Sequence, residues 1–274
     1  MRALLLAAGL GTRLRPLTNY LPKCLVPIHG RPLLDYWLET LVNAGVSEIL
    51  INTHYFAPLV IEFLRKSAWA SHVTVVHEDR LIGTGGTILK NRAFFQEKAF
   101  LVAHADNLTV FNVKEFAARH ACRPAGTELN MMVFGADDPR SCGIVELDEY
   151  DVVQAFHEKV SSPPGNLANA AVYILEPSVV DFMATLGKDE IDFSTEVIPH
   201  LMGRIFTYRN SSYHRDIGTI ASWTEAHKEF PVMPATQNTQ AWAAIYESDD
   251  GKLSSTVAQL LADTKPIVTA SVHV

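Results

Sequence analysis

Cysteine is scarce in this chain. Cys24, Cys122 and Cys142 stand far apart without CxxC spacing, which leaves neither a disulfide framework nor a zinc knuckle and points to a reducing, cytoplasmic setting. Excess positive charge is missing too: 23 Lys and Arg face 30 Asp and Glu, a formal net charge of −7. Nucleic-acid affinity built on counterion release needs the opposite balance, so no nucleic-acid partner is expected. No apolar run is long enough to span a bilayer. The opening MRALLLAAGL is short and runs straight into GTRLRP, unlike a signal peptide. Repeats and low-complexity tracts are absent as well. A basic group with a function must therefore act locally, which directs attention to Arg13 and Arg15.

What is present is core. With 274 residues, 48% of them hydrophobic, the chain can bury one large α/β domain with an appendage. Ala3 to Ala8 reads as a buried strand, and Pro32 to Ala44 as a helix with apolar residues at helical spacing and Gly45 at its end. Strands at 48–52, 72–77 and 99–103 alternate with helices near 58–67 and after the glycine loop 83–86. This alternation predicts a doubly wound, mostly parallel sheet, with ligands at the carboxyl ends of the strands. From Leu129 the pattern changes: strands at 129–135, 143–147, 152–156 and 169–175 follow at short spacing and predict antiparallel additions. Helices near 177–186 and 194–202, a strand at 204–208 and a helix opened by DIGT (216–219) complete residues 1–230. A first half, 1–128, would thus precede a second half, 129–230. Residues 231–238 read as a linker. In the extension 231–274, Trp242, Ile245, Tyr246, Leu260 and Leu261 would pack on the domain or form a homodimer contact.

The stretch AAGLGTRLRP (7–16) raises the question of ligand. The dinucleotide fingerprint GxGxxG fails, because Leu14 stands at the third glycine and Pro16 spoils an immediate helix. That excludes the usual NAD-dependent oxidoreductase, and the Walker pattern is absent as well. What remains is a glycine loop whose backbone N–H groups can approach an anion, with the hydroxyl of Thr12 and the guanidinium fork of Arg13 beside it. Lys23, in LPKCL, adds a compact charge.

LLLAAGLGTRLRPLT…PKCLVPIHGRPLLDY resembles the N-terminal motif of the sugar-1-phosphate nucleotidylyltransferases, and most nearly their mannose-1-phosphate guanylyltransferase-like members. EDRLIGTGGT from Glu78 is similar to the family's second glycine loop, and His104-Ala105-Asp106 stands at its strand-end aspartate. FHEK (156–159) looks like F-x-E-K, NAAVY (169–173) like N-A-G-x-Y, and DIGT like D-[IV]-G-T. The landmarks keep family order over about residues 1–230.

The resemblance implies a Rossmann-like, GT-A-type fold and a transferase that joins a nucleoside triphosphate to a sugar 1-phosphate, releasing pyrophosphate. Ala8, Gly9, Gly11, Thr12 and Arg13 would line the nucleotide, with Glu78, Gly83 and Gly85 in the second loop. Lys23 would touch the reacting phosphates. Asp106 and Asp216 would ligate Mg²⁺, although either alone would serve equally as a helix cap. Gly143, Glu158, Lys159, Asn169 and Glu196 would hold the sugar phosphate, Glu196 being as well explained as a capping-box partner. Ala105 and Ala171 stand where many relatives have glycine, which bears on the choice of sugar and base. The GTGG form inclines to GTP with a mannose- or heptose-like sugar, with UTP next. A catalytically silent nucleotide-sugar-binding subunit is the alternative; the retained charges at 13, 23, 106, 159 and 216 argue against it.

Overall fold

A computed structural model describes residues 1–232, 242–243, 246 and 251–262. In chain order it holds β1 (Arg2–Leu6), the short hairpin β2 (Pro27–Ile28) and β3 (Arg31–Pro32), α1 (Leu33–Asn43), β4 (Glu48–Thr53), α2 (Ala57–Lys66), β5 (Val73–His77) and α3 (Gly83–Lys90). There follow β6 (Phe100–His104), β7 (Asn107–Val110), α4 (Val113–Ala121), β8 (Leu129–Gly135), β9 (Gly143–Leu147), β10 (Val153–Glu158), β11 (Leu167–Leu175) and α5 (Pro177–Thr185). β12 (Ile205–Arg209), β13 (Tyr213–Asp216), α6 (Ile220–Glu229) and α7 (Lys252–Leu261) close the list.

The main sheet runs β10-β9-β11-β6-β1-β4-β5, with β8 beside β11 and β12 beside β8. β6, β1, β4 and β5 are parallel, and β11, β9 and β10 add antiparallel pairings, as the sequence leads one to expect. Alternation along β1 sorts two cores. Ala3 and Leu5 face a layer built with Leu34 and Trp37 of α1, Phe63 of α2 and Trp223 of α6; Leu4 faces the other, with Ile88 of α3 and Val179 and Met183 of α5. Burial on both faces explains why β1 reads as a continuous apolar run. Trp242 packs into the first core; Ile245 and most of the linker expected at 231–238 lie outside the described residues. Among the described residues no helix is long and apolar enough to cross a membrane.

β11 is long because it serves two neighbours. Ala168 pairs with Ile144 of β9, whereas Val172 to Leu175 pair with β6, and the register against β8 breaks between Asn169 and Tyr173. At that break Ala171 takes φ +54°, a left-handed conformation that costs a residue with Cβ about 1 kcal/mol. Ala171→Gly should therefore raise unfolding stability by about 1 kcal/mol, read from urea melts; a loss would mean that the methyl's packing outweighs the backbone strain.

Three features of the secondary structure depart from expectation. The glycines at 83–86 form the first turn of α3 itself. Asp216 ends strand β13, and Thr219 is the N-cap of α6, its side chain accepting from Ser222 N–H in a capping box. Residues 193–201 form a π-turn and a 3-10 turn in place of a regular helix.

α6 is tied to the N-terminal region by His227. Its Nε2 accepts from His29 N–H at 3.3 Å, and its Nδ1–H donates to the Trp223 carbonyl at 3.0 Å. Both nitrogens are used by the neutral ring. Burial pushes its pKa down to about 4, and neighbouring His29 lowers it further while the Trp223 carbonyl opposes. A depressed folded value makes the contribution complete above the unfolded value near 6.5 and lost as pH falls towards 4, at most about 3 kcal/mol. Melting temperature should fall across this window, and less steeply in His227→Gln; parallel curves would remove His227 as a cause.

Candidate functional site

The carboxyl ends of β1, β4, β5 and β6 share one rim. The loop after β1 turns at Gly11, whose φ is +61° and where an added Cβ would stand 2.9 Å from Thr18 Cγ2. Thr18 Oγ1 donates to the Gly11 carbonyl at 2.8 Å. Gly11 is thus required by the loop's own folding. Around Gly9, in contrast, an added Cβ would meet nothing within 4 Å, and Thr12 and Arg13 are exposed. The loop is fixed at its base and open at its tip.

Lys23 lies in the next turn and is largely buried. Its Nζ lies 2.5 Å from Asp106 Oδ2 and 3.1 Å from Asp216 Oδ1. Burial alone would lower its pKa, but the two carboxylates outweigh that and hold it above the usual lysine value. Burial likewise opposes ionisation of Asp106, and the Lys23 charge overcomes it, so its pKa lies below the usual carboxylate range. Asp106 occupies the turn between β6 and β7, and Asp216 ends β13. These two strands pair with each other, Asp216 opposite Asn107, in a ribbon separate from the main sheet. That ribbon brings the two aspartates together across 110 residues of sequence.

Arg13 joins the group from the first loop. A Cβ at Gly218 would meet Asp216 Oδ2 at 2.7 Å and Arg13 Nη2 at 3.2 Å. Gly218, marked in the sequence only by its place in DIGT, keeps room for both charges. Arg13, Lys23, Asp106 and Asp216 therefore gather at one place. Two carboxylates aimed at a single cation form a hard-oxygen pair that suits Mg²⁺. Among the described residues no group of three or more His, Cys, Asp or Glu gathers, so phosphate oxygens and water would complete such an ion's shell.

Other expected site residues are engaged within the protein. Gly83 and Gly85 need to be glycine because of the chain, since a Cβ would stand 2.4 Å from the Ile191 carbonyl and 2.6 Å from its Cγ2 respectively. Gly85 N–H already donates to that carbonyl at 3.0 Å. At Gly143, Phe156 Cζ and Glu158 Oε2 fill the space on the side-chain face, 2.5 and 2.7 Å from where a Cβ would be. Glu196 accepts from Asp192 N–H at 2.9 Å while Asp192 accepts from Thr195 N–H at 2.8 Å, so Glu196 caps this turn from one position beyond the capping-box place, and Lys188 pairs with the same carboxylate.

Glu158 and Lys159 pair at 3.0 Å. Asn169 is spent on the bulge: its Oδ1 accepts from Ala171 N–H at 2.9 Å and its Nδ2 donates to Tyr173 Oη at 2.7 Å. Burial pushes the Tyr173 hydroxyl far up; the Asn169 bond opposes, and the charges of Glu158 and Asp192 add to the rise. The Cys142 thiol is raised by burial, then by Asp216, with Lys159 opposing. Cys142, just before β9, thus lies within electrostatic reach of Asp216.

A sheet rim that gathers a glycine loop, two carboxylates and two cations at one place is suited to binding phosphates on an α/β sheet. The chain belongs to the nucleotidyl transferase family, whose model matches residues 2–231. It is 34% identical over 223 residues to a mannose-1-phosphate guanylyltransferase of Mycobacterium tuberculosis, covering 79% of this chain and 61% of that protein. It is 29% identical over 235 residues to a glucose-1-phosphate thymidylyltransferase of Streptomyces griseus, covering 83% and 65%. The structure of HddC from Yersinia pseudotuberculosis complexed with GMP-PN aligns with a TM-score of 0.71 at 26% identity, covering 84% of this chain and 99% of that one. The chain spans about half to three-fifths of the length of the first curated relatives it matches.

Proposed function

We propose that the protein transfers a nucleotidyl group from a nucleoside triphosphate to a sugar 1-phosphate, with GTP and a mannose- or heptose-like sugar as the favoured pair. The convergence of Arg13, Lys23, Asp106 and Asp216 carries this reading. A phosphate oxygen of the sugar 1-phosphate forms a bond to the α-phosphorus. The bond from that phosphorus to the β-phosphate's bridging oxygen breaks, and pyrophosphate leaves with the electron pair. The nucleophile is already an anion, so no general base is needed. Lys23 offsets the negative charge gathering at the α-phosphate, and Arg13 holds the leaving phosphates from the exposed side. Mg²⁺ on Asp106 and Asp216 would supply charge neutralisation between the two substrates. Glu158 and Lys159 are the candidates for the sugar phosphate.

The guanylyltransferase relatives support GTP. The test is pyrophosphate release with Mg²⁺, crossing five nucleoside triphosphates against a panel of sugar 1-phosphates. One strong pair would establish both halves of the specificity. No release from folded, nucleotide-binding protein would leave the silent binding subunit as the better account. Arg13→Ala should lower turnover about 100-fold with an unchanged melting temperature, because an exposed loop arginine carries little core. A collapse of stability would assign Arg13 a structural role instead.

A further inference from the structure

The rim is held by a buried polar bridge. Asn52, at the carboxyl end of β4 and only 3% exposed, accepts from Ala7 N–H through Oδ1 at 2.8 Å. Its Nδ2 donates to Glu78 Oε1 at 3.1 Å, and Thr87 Oγ1 donates to the same oxygen at 2.6 Å. Thr87 belongs to the first turns of α3 and is 1% exposed; Glu78 is 3% exposed. The Glu78 backbone is fixed from the same strand end, its N–H donating to the Thr53 carbonyl at 2.9 Å and its carbonyl lying 2.8 Å from His54 Nδ1. One continuous chain of side chains thus runs from the start of the first glycine loop, through β4, to the segment that opens the second.

We propose that Asn52 and Thr87 are positioning residues that set the spacing of the two nucleotide-side loops, so that the triphosphate and its base are gripped as one unit. The inference rests on the proposed function for its ligand but on the hydrogen bonds alone for its mechanics. Three physical points support it. Buried polar groups need complete pairing, and here Ala7 N–H and Glu78 Oε1 find theirs only through Asn52 and Thr87 among the described side chains. Ala7 lies one residue before the Ala8–Gly9 backbone that would face the phosphates, so loss of its partner frees the loop at its root. And none of these three side chains bridges towards Glu158, Lys159 or Asn169, so the sugar side should be left alone. An apolar core in their place would bury as well but would not fix one loop against the other. Small errors at this level are costly where reacting groups must be aligned.

Thr87→Val removes the 2.6 Å donor with almost no change of shape, and Thr87→Ser restores it. Asn52→Asp keeps an acceptor for Ala7 but loses the donor to Glu78 and sets two carboxylates face to face. Two measurements on the full chain decide the matter: amide hydrogen exchange of residues 7–12, and KM for GTP against KM for mannose 1-phosphate. In Thr87→Val, exchange at 7–12 should rise at least about tenfold while protection elsewhere in the sheet holds. The KM for GTP should rise about tenfold and that for mannose 1-phosphate stay within about twofold, both recovered in Thr87→Ser. Asn52→Asp should do the same more strongly. Unchanged exchange, exchange rising evenly over the whole sheet, or the two KM values moving together would each overturn the inference. If the wild type releases no pyrophosphate from any pair, the proposed function fails, and the exchange measurement still judges the bridge.

Discussion

Lys23→Met should lower kcat/KM for the proposed pyrophosphate release at least about 1000-fold, a loss of about 4 kcal/mol in transition-state stabilisation, while the protein stays folded. The size follows from placement. Among the described residues Lys23 is the one cation paired with both Asp106 and Asp216, and its charge is held in place against its own burial by those carboxylates. A methionine has nearly the same length and no charge, so packing survives. The aspartates then face each other without a cation, but the Asp216 side chain is 57% exposed and can turn towards water, which limits the cost to stability. Steady-state kinetics and a thermal melt on the same preparation check this. A loss below tenfold would place the reacting phosphates elsewhere.

Gly86→Ala should cost about 3 kcal/mol of stability. The added methyl would stand 2.2 Å from the Asp189 carbonyl oxygen and 3.2 Å from Ile82 Cβ. The obstacle is backbone, in the segment whose Ile191 also exchanges hydrogen bonds with Ile82, Gly85 and Gly86, so it cannot rotate out of the way. Gly9→Ala is the contrasting variant. Open space surrounds that position, and its stability should stay within about 0.5 kcal/mol of wild type, with any defect confined to nucleotide affinity. Urea unfolding of both separates the two kinds of glycine. Equal losses would mean that the first loop, too, is closed by its own chain.

That contrast shows where sequence reading stops. From sequence, a glycine that admits a ligand and a glycine that admits another strand of the same protein look alike. The residues at 83, 85 and 143 therefore pointed to substrate, whereas Ile191, Phe156 and Glu158 fill their space. Strands 129–135 and 143–147 were fully legible, because apolar runs bounded by turns leave few alternatives. The ribbon of β7 and β13 was not: NLTV and YHRD are four residues each, mixed in polarity, and pair across about a hundred residues. Without it, a helix cap competed with metal binding as the reading of Asp216, and that cap is Thr219. The charged groups at 13, 23, 106 and 216 were legible through family order, and the structure draws them together. Asn52 and Thr87 carried no signal, since a buried amide and hydroxyl declare themselves only when their partners are known.

The β7–β13 ribbon also sets a clock. Lys23 and Asp216 are 193 positions apart, and Asp216 emerges from the ribosome 110 residues after Asp106, roughly ten seconds later at ordinary rates of synthesis. During that interval the parallel strands β1, β4, β5 and β6 can already be in place, with Lys23 facing a single carboxylate. Growing chains and fragments ending before residue 213 would thus hold a glycine loop without the second aspartate. The constellation is completed only by nearly the last element of the domain, so the full set of charges arrives together with the finished fold.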